Sequence, residues 1–240
     1  MAEFTDEDLR ASRFRRVVLT GSRLRDVGLR DVRILDSHVD GLEISGYVDS
    51  LVVNGVEVAG YVEAELNRRH PERAMLRPDT AAAARDGWAM VQERAAATLE
   101  RARRLPPAAL DESVDEEFSY LQTLRHLVFA VDRWISGPVL GEVPGFHPLG
   151  VAYDGASEEE LAGLDREARP TLDHVLAVRA ERAARVTGVL AGATDDDLAR
   201  VVESPNGGTV TVLRCVGVVL REEWQHDQYA NRDLSVLESG

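Results

Sequence analysis

The sequence predicts a mainly α-helical fold, a bundle of four long helices preceded by a short coil of five-residue repeats. Two observations carry this. Apolar residues at Phe14, Leu19, Leu24, Leu29, Ile34, Val39 and Ile44 recur every five positions, a period that belongs to neither helix nor strand. From about residue 79, Gly and β-branched residues give way to Ala, Arg, Leu and Glu, and stretches long enough for bundle helices follow one another between Pro, Gly and capping residues.

The residues two before each apolar position are Ser12, Val17, Ser22, Val27, Val32, Ser37 and Leu42. Two inward-facing positions in five would line the inside of a square coil, with Arg, Asp, Gly and Glu outside. This segment resembles the pentapeptide-repeat family, whose right-handed β-helix uses four such repeats per turn. Seven repeats make fewer than two turns, and such a stack needs caps because each coil buries its apolar face on a neighbour. The resulting expectation is a β-helical segment over residues 1–62 and an up-down helical bundle over 63–240.

Within the second part, Pro78, Asp79 and Thr80 open a helix running to about residue 105, where Pro106 and Pro107 stop it. A second helix is expected over 116–136, ended by Gly137 and Pro138. Residues 139–155 read as a long Gly- and Pro-rich loop carrying His147, of the kind that walls a pocket. Ser157 and Glu160 form a capping-box pattern before a short helix, and Pro170 suits the first turn of a longer one to about residue 190. A further helix is expected over 195–202. Pro205, Asn206, Gly207 and Gly208 make a turn, and 210–237 reads as the last long helix.

Composition narrows the function classes. With 28 basic and 42 acidic residues, the net charge of −14 repels nucleic-acid phosphates and anionic lipid. No apolar run is long enough to cross a bilayer, and the opening MAEFTDEDLR lacks the regions of a signal peptide, so a cytoplasmic protein is expected. The single cysteine, Cys215, suits a reducing compartment and leaves His and carboxylate to hold any metal. Cys215 itself reads as a small core residue.

On the last helix Glu222 and His226 stand at i and i+4, on one face and able to chelate one ion. On the second helix Ser119, Thr123 and His126 fall at i, i+4 and i+7 within an apolar segment, a stripe expected to face the bundle interior. Two histidines and a carboxylate from facing helices leave coordination positions open for water or substrate, as in a catalytic site. Glu223, three before His226, is a rival to Glu222. Arg125, beside His126, is placed to pair with a substrate carboxylate, and Thr123 shares the histidine stripe; these are the catalytic candidates. Trp134 and Trp224 read as packing residues. His147 is placed to swing over the site from its loop, whereas His38, His70 and His174 carry no signal.

The stretch from Glu117 and Phe118 through Thr123, Arg125 and His126 to Asp132, Arg133 and Trp134 resembles the second-helix signature of the DinB superfamily. Glu222, Glu223, Trp224, Gln225, His226 and Tyr229 resemble its last-helix signature. Most relatives carry two histidines on that helix. A glutamate in the first place is similar to the mycothiol-dependent maleylpyruvate isomerase branch, and this favours Glu222 over Glu223. The resemblance implies one divalent ion on His126, Glu222 and His226, zinc first, with nickel, iron or manganese as alternatives. It also implies a small-molecule substrate and a low-molecular-weight thiol such as mycothiol, used in S-transfer or isomerisation. The alternatives are a binding module in which the metal only stabilises the bundle, and a metal hydrolase with Glu223 as base. An exposed coil edge offers a route to a homodimer.

Overall fold

The computed structural model describes residues 4–25, 27–46, 48–142, 145–153 and 155–239. The chain divides into two compact units, Met1–Ile44 and Ser45–Gly240.

In the first unit the five-residue period is written into the backbone. Left-handed residues stand at Asp6, Ala11, Arg16, Gly21, Asp31, Asp36 and Gly41, the last five of them two positions after Phe14, Leu19, Leu29, Ile34 and Val39, and Gly46 just past the unit continues the spacing after Ile44. Asp and Gly are the residues that visit this region at least cost. The described backbone hydrogen bonds are local, Ser12 N to Leu9 O and Ser22 N to Leu19 O. Among the described residues of 4–46 there is no strand. The apolar positions that the repeat assigns to an interior are exposed, from 49% at Ile44 to 65% at Phe14. The expected β-helix is therefore present as a turn rhythm and not as a paired, filled coil. A stack of fewer than two turns gives each apolar face no neighbour to bury it.

The second unit begins with a hairpin, β1 Val52–Val53 and β2 Val56–Glu57, paired Val53 to Val56. Its two-residue loop, Asn54 and Gly55, takes positive φ at both positions, the turn that suits the twist of paired strands. Helix α1, Ala59–Arg69, follows; its first four residues fall within the segment 1–62 that was expected to be β-helical, and the rest within the expected helical part. A 3₁₀ segment, Pro71–Leu76, leads to the first bundle helix, α2, Ala81–Ala102.

The bundle helices are α2, α3 (Tyr120–Val131), α5 (Leu172–Leu190) and α7 (Val212–Leu237), with short α4 (Glu158–Leu161) and α6 (Asp195–Ala199) between them. They close a ring of contacts in which α2 packs on α7, α7 on α3, α3 on α5 and α5 on α2. Each of the four starts on a hydroxyl that accepts a backbone N–H: Thr80 from Ala83, Ser119 from Gln122, Thr171 from His174 and Thr211 from Arg214. A cap of this kind contributes about 1 kcal/mol.

These caps correct three boundaries. Helix α3 starts at Tyr120 and not near 116, because Ser119 and Gln122 form a reciprocal capping box. Ser119 is thus a helix start and not a hydroxyl on the histidine stripe. Pro170 lies outside α5, whose cap is Thr171. Helix α6 stops at Ala199, and Val201–Glu203 forms strand β3, paired with β4, Thr209–Thr211, across the expected turn. The β-branched Val201 and Val202 favour this hairpin over another helical turn.

Helix α3 ends in a π-helical turn, Asp132–Ser136, in which Gly137 N donates to Asp132 O. The Asp132 carboxylate, fully buried, accepts from Arg182, Arg185, the Ser136 hydroxyl and the His147 backbone N–H. A buried charge persists when it is paired and hydrogen-bonded in this way.

The main core lies where α2, α5 and α7 meet and includes Trp88, Val91, Val186, Leu190, Val216 and Leu220. A second cluster, toward the other end, holds Leu121, Leu124, Val175 and Leu234. Gly87 lets α2 approach closely, since a Cβ there would stand 2.6 Å from Met75 O and 3.0 Å from Leu220 Cδ1. Gly87→Ala is expected to destabilise the protein by about 1–3 kcal/mol in urea unfolding, against the helix preference of alanine. A stabilised variant would show that the contact relaxes freely.

Candidate metal centre

Helix α3 carries His126 on its buried side and α7 carries Glu222 and His226 one turn apart, so the contact between these two helices brings the three together. One ligand atom from each falls within 4.8 Å of the others, and the group could hold a metal ion. His126 Nε2 is 3.7 Å from Glu222 Oε2, and His226 Nδ1 is 3.4 Å from the same oxygen. The two imidazole rings are 4.6 Å apart between centroids and inclined by 31°.

Backbone carbonyls set the tautomers. His126 Nδ1 is 3.0 Å from Val151 O, and His226 Nδ1 is 2.9 Å from Glu222 O. A carbonyl oxygen only accepts, so each Nδ1 carries a proton, and a neutral ring so held keeps its lone pair on Nε2, the arrangement that a metal-ligating imidazole needs. The separation between His126 Nε2 and Glu222 Oε2 is too long for a hydrogen bond. Two imidazoles and a carboxylate thus gather in a largely buried place, a donor set that could hold a metal ion.

The electrostatics agree. Burial alone would raise the Glu222 carboxyl, but the neighbouring His126 and His226 outweigh it and hold the group below the usual carboxylate range. Burial, and then the proximity of His126, pushes His226 below the ordinary imidazole value. At neutral pH the cluster is therefore one carboxylate and at least one neutral imidazole. Because protons compete with metal for imidazole, occupancy is expected to be full above about pH 6.5 and to fall as the pH drops through the lowered His226 value. Equilibrium dialysis across pH 4 to 8 measures this; occupancy that rises toward acid pH contradicts it.

Around the cluster stand aromatic rings. Phe118 and Phe129 lie 5.4 and 6.1 Å from His126, and Tyr229 lies 5.9 Å from His226. Phe146 stacks on Phe129 at 4.7 Å. An apolar wall of this kind limits water and strengthens electrostatic interactions inside it.

Glu223 is placed elsewhere. It points to α5, where Arg179 grips it by two hydrogen bonds of 2.7 and 2.8 Å, both side chains buried. In the sequence it stands as a rival to Glu222 and as a candidate hydrolase base; in the structure it is one half of a buried ion pair. Arg125 is also buried, and its guanidinium donates to three main-chain carbonyls, Leu149, Ala168 and Asp165. It clamps the loop that carries Val151 and thereby supports the orientation of His126. Thr123 is buried on α3.

His147 is not over the metal cluster. Its backbone N–H binds Asp132 and its Nδ1 accepts from Leu149 N. Cys215 is fully buried in the main core, and burial pushes its thiol up to about 11, so it stays protonated. Trp224 packs in the same core, edge-on to His70 at 5.6 Å and under Arg73.

Val151 and Arg179 were missed by sequence reasoning, and Asp132 was named only as part of the second-helix signature, without its buried role. Val151 acts through its carbonyl, for which the sequence has no signal. Asp132 and Arg179 are charges on helices, which read as surface until the packing is known.

No curated protein and no solved structure matches the chain significantly. The family model for the DinB superfamily matches residues 89–230, a span reaching from α2 into α7 that contains His126, Glu222 and His226. Since this is more than half of the sequence and includes the whole cluster, the chain belongs to the DinB superfamily.

Proposed function

We propose that this protein is a metal-dependent enzyme that binds one divalent cation through His126, Glu222 and His226 and acts on a small molecule. The observation that carries the reading is the gathering of one ligand atom each from His126, Glu222 and His226 within 4.8 Å of one another, with Nδ1 of both imidazoles engaged by the carbonyls of Val151 and Glu222. The donor set fits zinc first, and nickel, iron or manganese as well. Three protein ligands leave coordination positions open, which favours a catalytic role over a purely stabilising one. When bound, such a cation supplies Lewis acidity and lowers the pKa of a coordinated water or thiol.

The protein's own residues do the rest. Val151 O and Glu222 O hold the protons on Nδ1, Arg125 fixes the loop that presents Val151, and Phe118, Phe129 and Tyr229 keep the surroundings apolar. The proposed reaction class is thiol transfer or thiol-assisted isomerisation with a mycothiol-like cosubstrate. It rests on the glutamate at 222, in the place where most relatives carry histidine. A hydrolase reading is less well supported, because Glu223, its candidate base, is already engaged by Arg179.

The test is a thiol-conjugation assay with several low-molecular-weight thiols and electrophiles, on metal-loaded and chelated protein. Metal-dependent turnover that disappears in Glu222→Gln supports the proposal. Turnover that survives chelation, or none with any thiol, sinks the thiol assignment.

A further inference from the structure

A cavity of about 530 Å³ lies between α3 and the segments 111–113, 150–153 and 155–170, beside the metal cluster, with Phe118 and Val151 standing between the two. Its lining includes Phe118, Gln122, Arg125, Tyr153, Arg166 and Arg169, but none of His126, Glu222 or His226. That volume falls within the range of small-molecule sites.

The charges around it run against the rest of the protein. The chain has a net charge of −14, yet three arginines line this cavity against one described carboxylate, Asp111. Arg125 is 5% exposed, and its guanidinium donates to three neutral main-chain carbonyls. Buried charges are normally paired with an opposite one. Arg166 and Arg169 are exposed, and among the described residues neither is bridged to a carboxylate; Arg169 donates to the carbonyls of Arg166 and Ala168. Burial, and then the proximity of Arg169, lowers the pKa of Arg125 against the opposing pull of Asp165 and Asp111, so the two guanidinium groups feel one another. Beside these charges lie the apolar surfaces of Phe118, Tyr153 and Leu121.

We infer that this cavity binds a small organic anion, a carboxylate or phosphate head on an apolar ring, with Arg166 and Arg169 holding the head and Phe118 and Tyr153 the ring. Arg125 supplies a fixed positive charge beside them. Val151 lines the cavity and its carbonyl holds His126 Nδ1, so an occupant touches the loop that orients the metal-cluster histidine. The inference does not depend on which reaction the metal cluster performs.

The experiment is isothermal titration of the full chain with benzoate, with phenyl phosphate and, as a neutral control of similar shape, with benzyl alcohol. At least one anion is expected to bind saturably at millimolar concentration or below, and at least tenfold more tightly than benzyl alcohol. The arm that binds more tightly identifies the head group. Arg166→Ala/Arg169→Ala, two exposed substitutions, is expected to weaken that binding at least tenfold. Glu222→Gln is expected to leave it unchanged, which separates this site from the metal cluster. Equal binding of the alcohol, undiminished binding in the double variant, loss in Glu222→Gln, or no saturable binding of either anion would overturn the inference.

Discussion

Glu223→Ala is expected to destabilise the protein by about 3–5 kcal/mol, because it leaves the Arg179 guanidinium buried without its counter-charge. The neighbouring Glu222→Ala is expected to change the stability of the metal-free protein by about 1 kcal/mol or less, since its side chain is 23% exposed and its described close partners are the imidazoles of His126 and His226. Two adjacent glutamates thus divide the work: one holds α7 to α5, the other faces α3 with the histidines. Urea unfolding of chelated protein measures both. Equal costs for the two would mean that the assignment of roles is wrong.

The second large effect is the response of thermal stability to metal. A ligand that binds only the folded state stabilises it by about 2.7 kcal/mol at one hundred times its dissociation constant. For a chain of this length that corresponds to a rise in Tm of about 5–10 °C. Chelated native protein is expected to gain this on adding zinc, and His226→Ala and Glu222→Ala are each expected to gain little. His226→Ala also removes the bond from Nδ1 to Glu222 O, within α7 itself, so its metal-free Tm should change only slightly. A variant that still shows the full zinc-dependent rise would exclude its residue as a ligand.

Much of the bundle was legible because its signals are local. Thr80 before an alanine-rich run, the prolines at 106 and 107, and the turn at 205–208 each act within a few residues of themselves, and the structure places helices between them as expected. Val201 and Val202 were misread as helix because the strand they form needs Val210 and Thr211 across the turn, a partner that a helical period does not reveal. The first unit shows the opposite case. Its five-residue period recurs in the described left-handed residues, but the filled β-helix it suggested is not formed, because a five-residue rhythm does not say how many coils are present to cover one another.

At the site, the i to i+4 spacing of Glu222 and His226 was sufficient to place them together, and the α3 stripe added His126. What the sequence left open was the choice between Glu222 and Glu223. They are adjacent and chemically identical, and only the position of Arg179 on α5 separates them. The loop carbonyl of Val151 and the clamp by Arg125 depend on long-range contacts of the main chain, which side-chain identity does not encode.

The most direct measurement is elemental analysis of the native protein, purified without a metal-affinity step, beside His126→Ala and Glu222→Ala. About one divalent ion per chain in the native protein, lost in both variants, is the expected result for a three-ligand site. No bound metal after reconstitution, or metal retained in both variants, would contradict a metal centre at His126, Glu222 and His226.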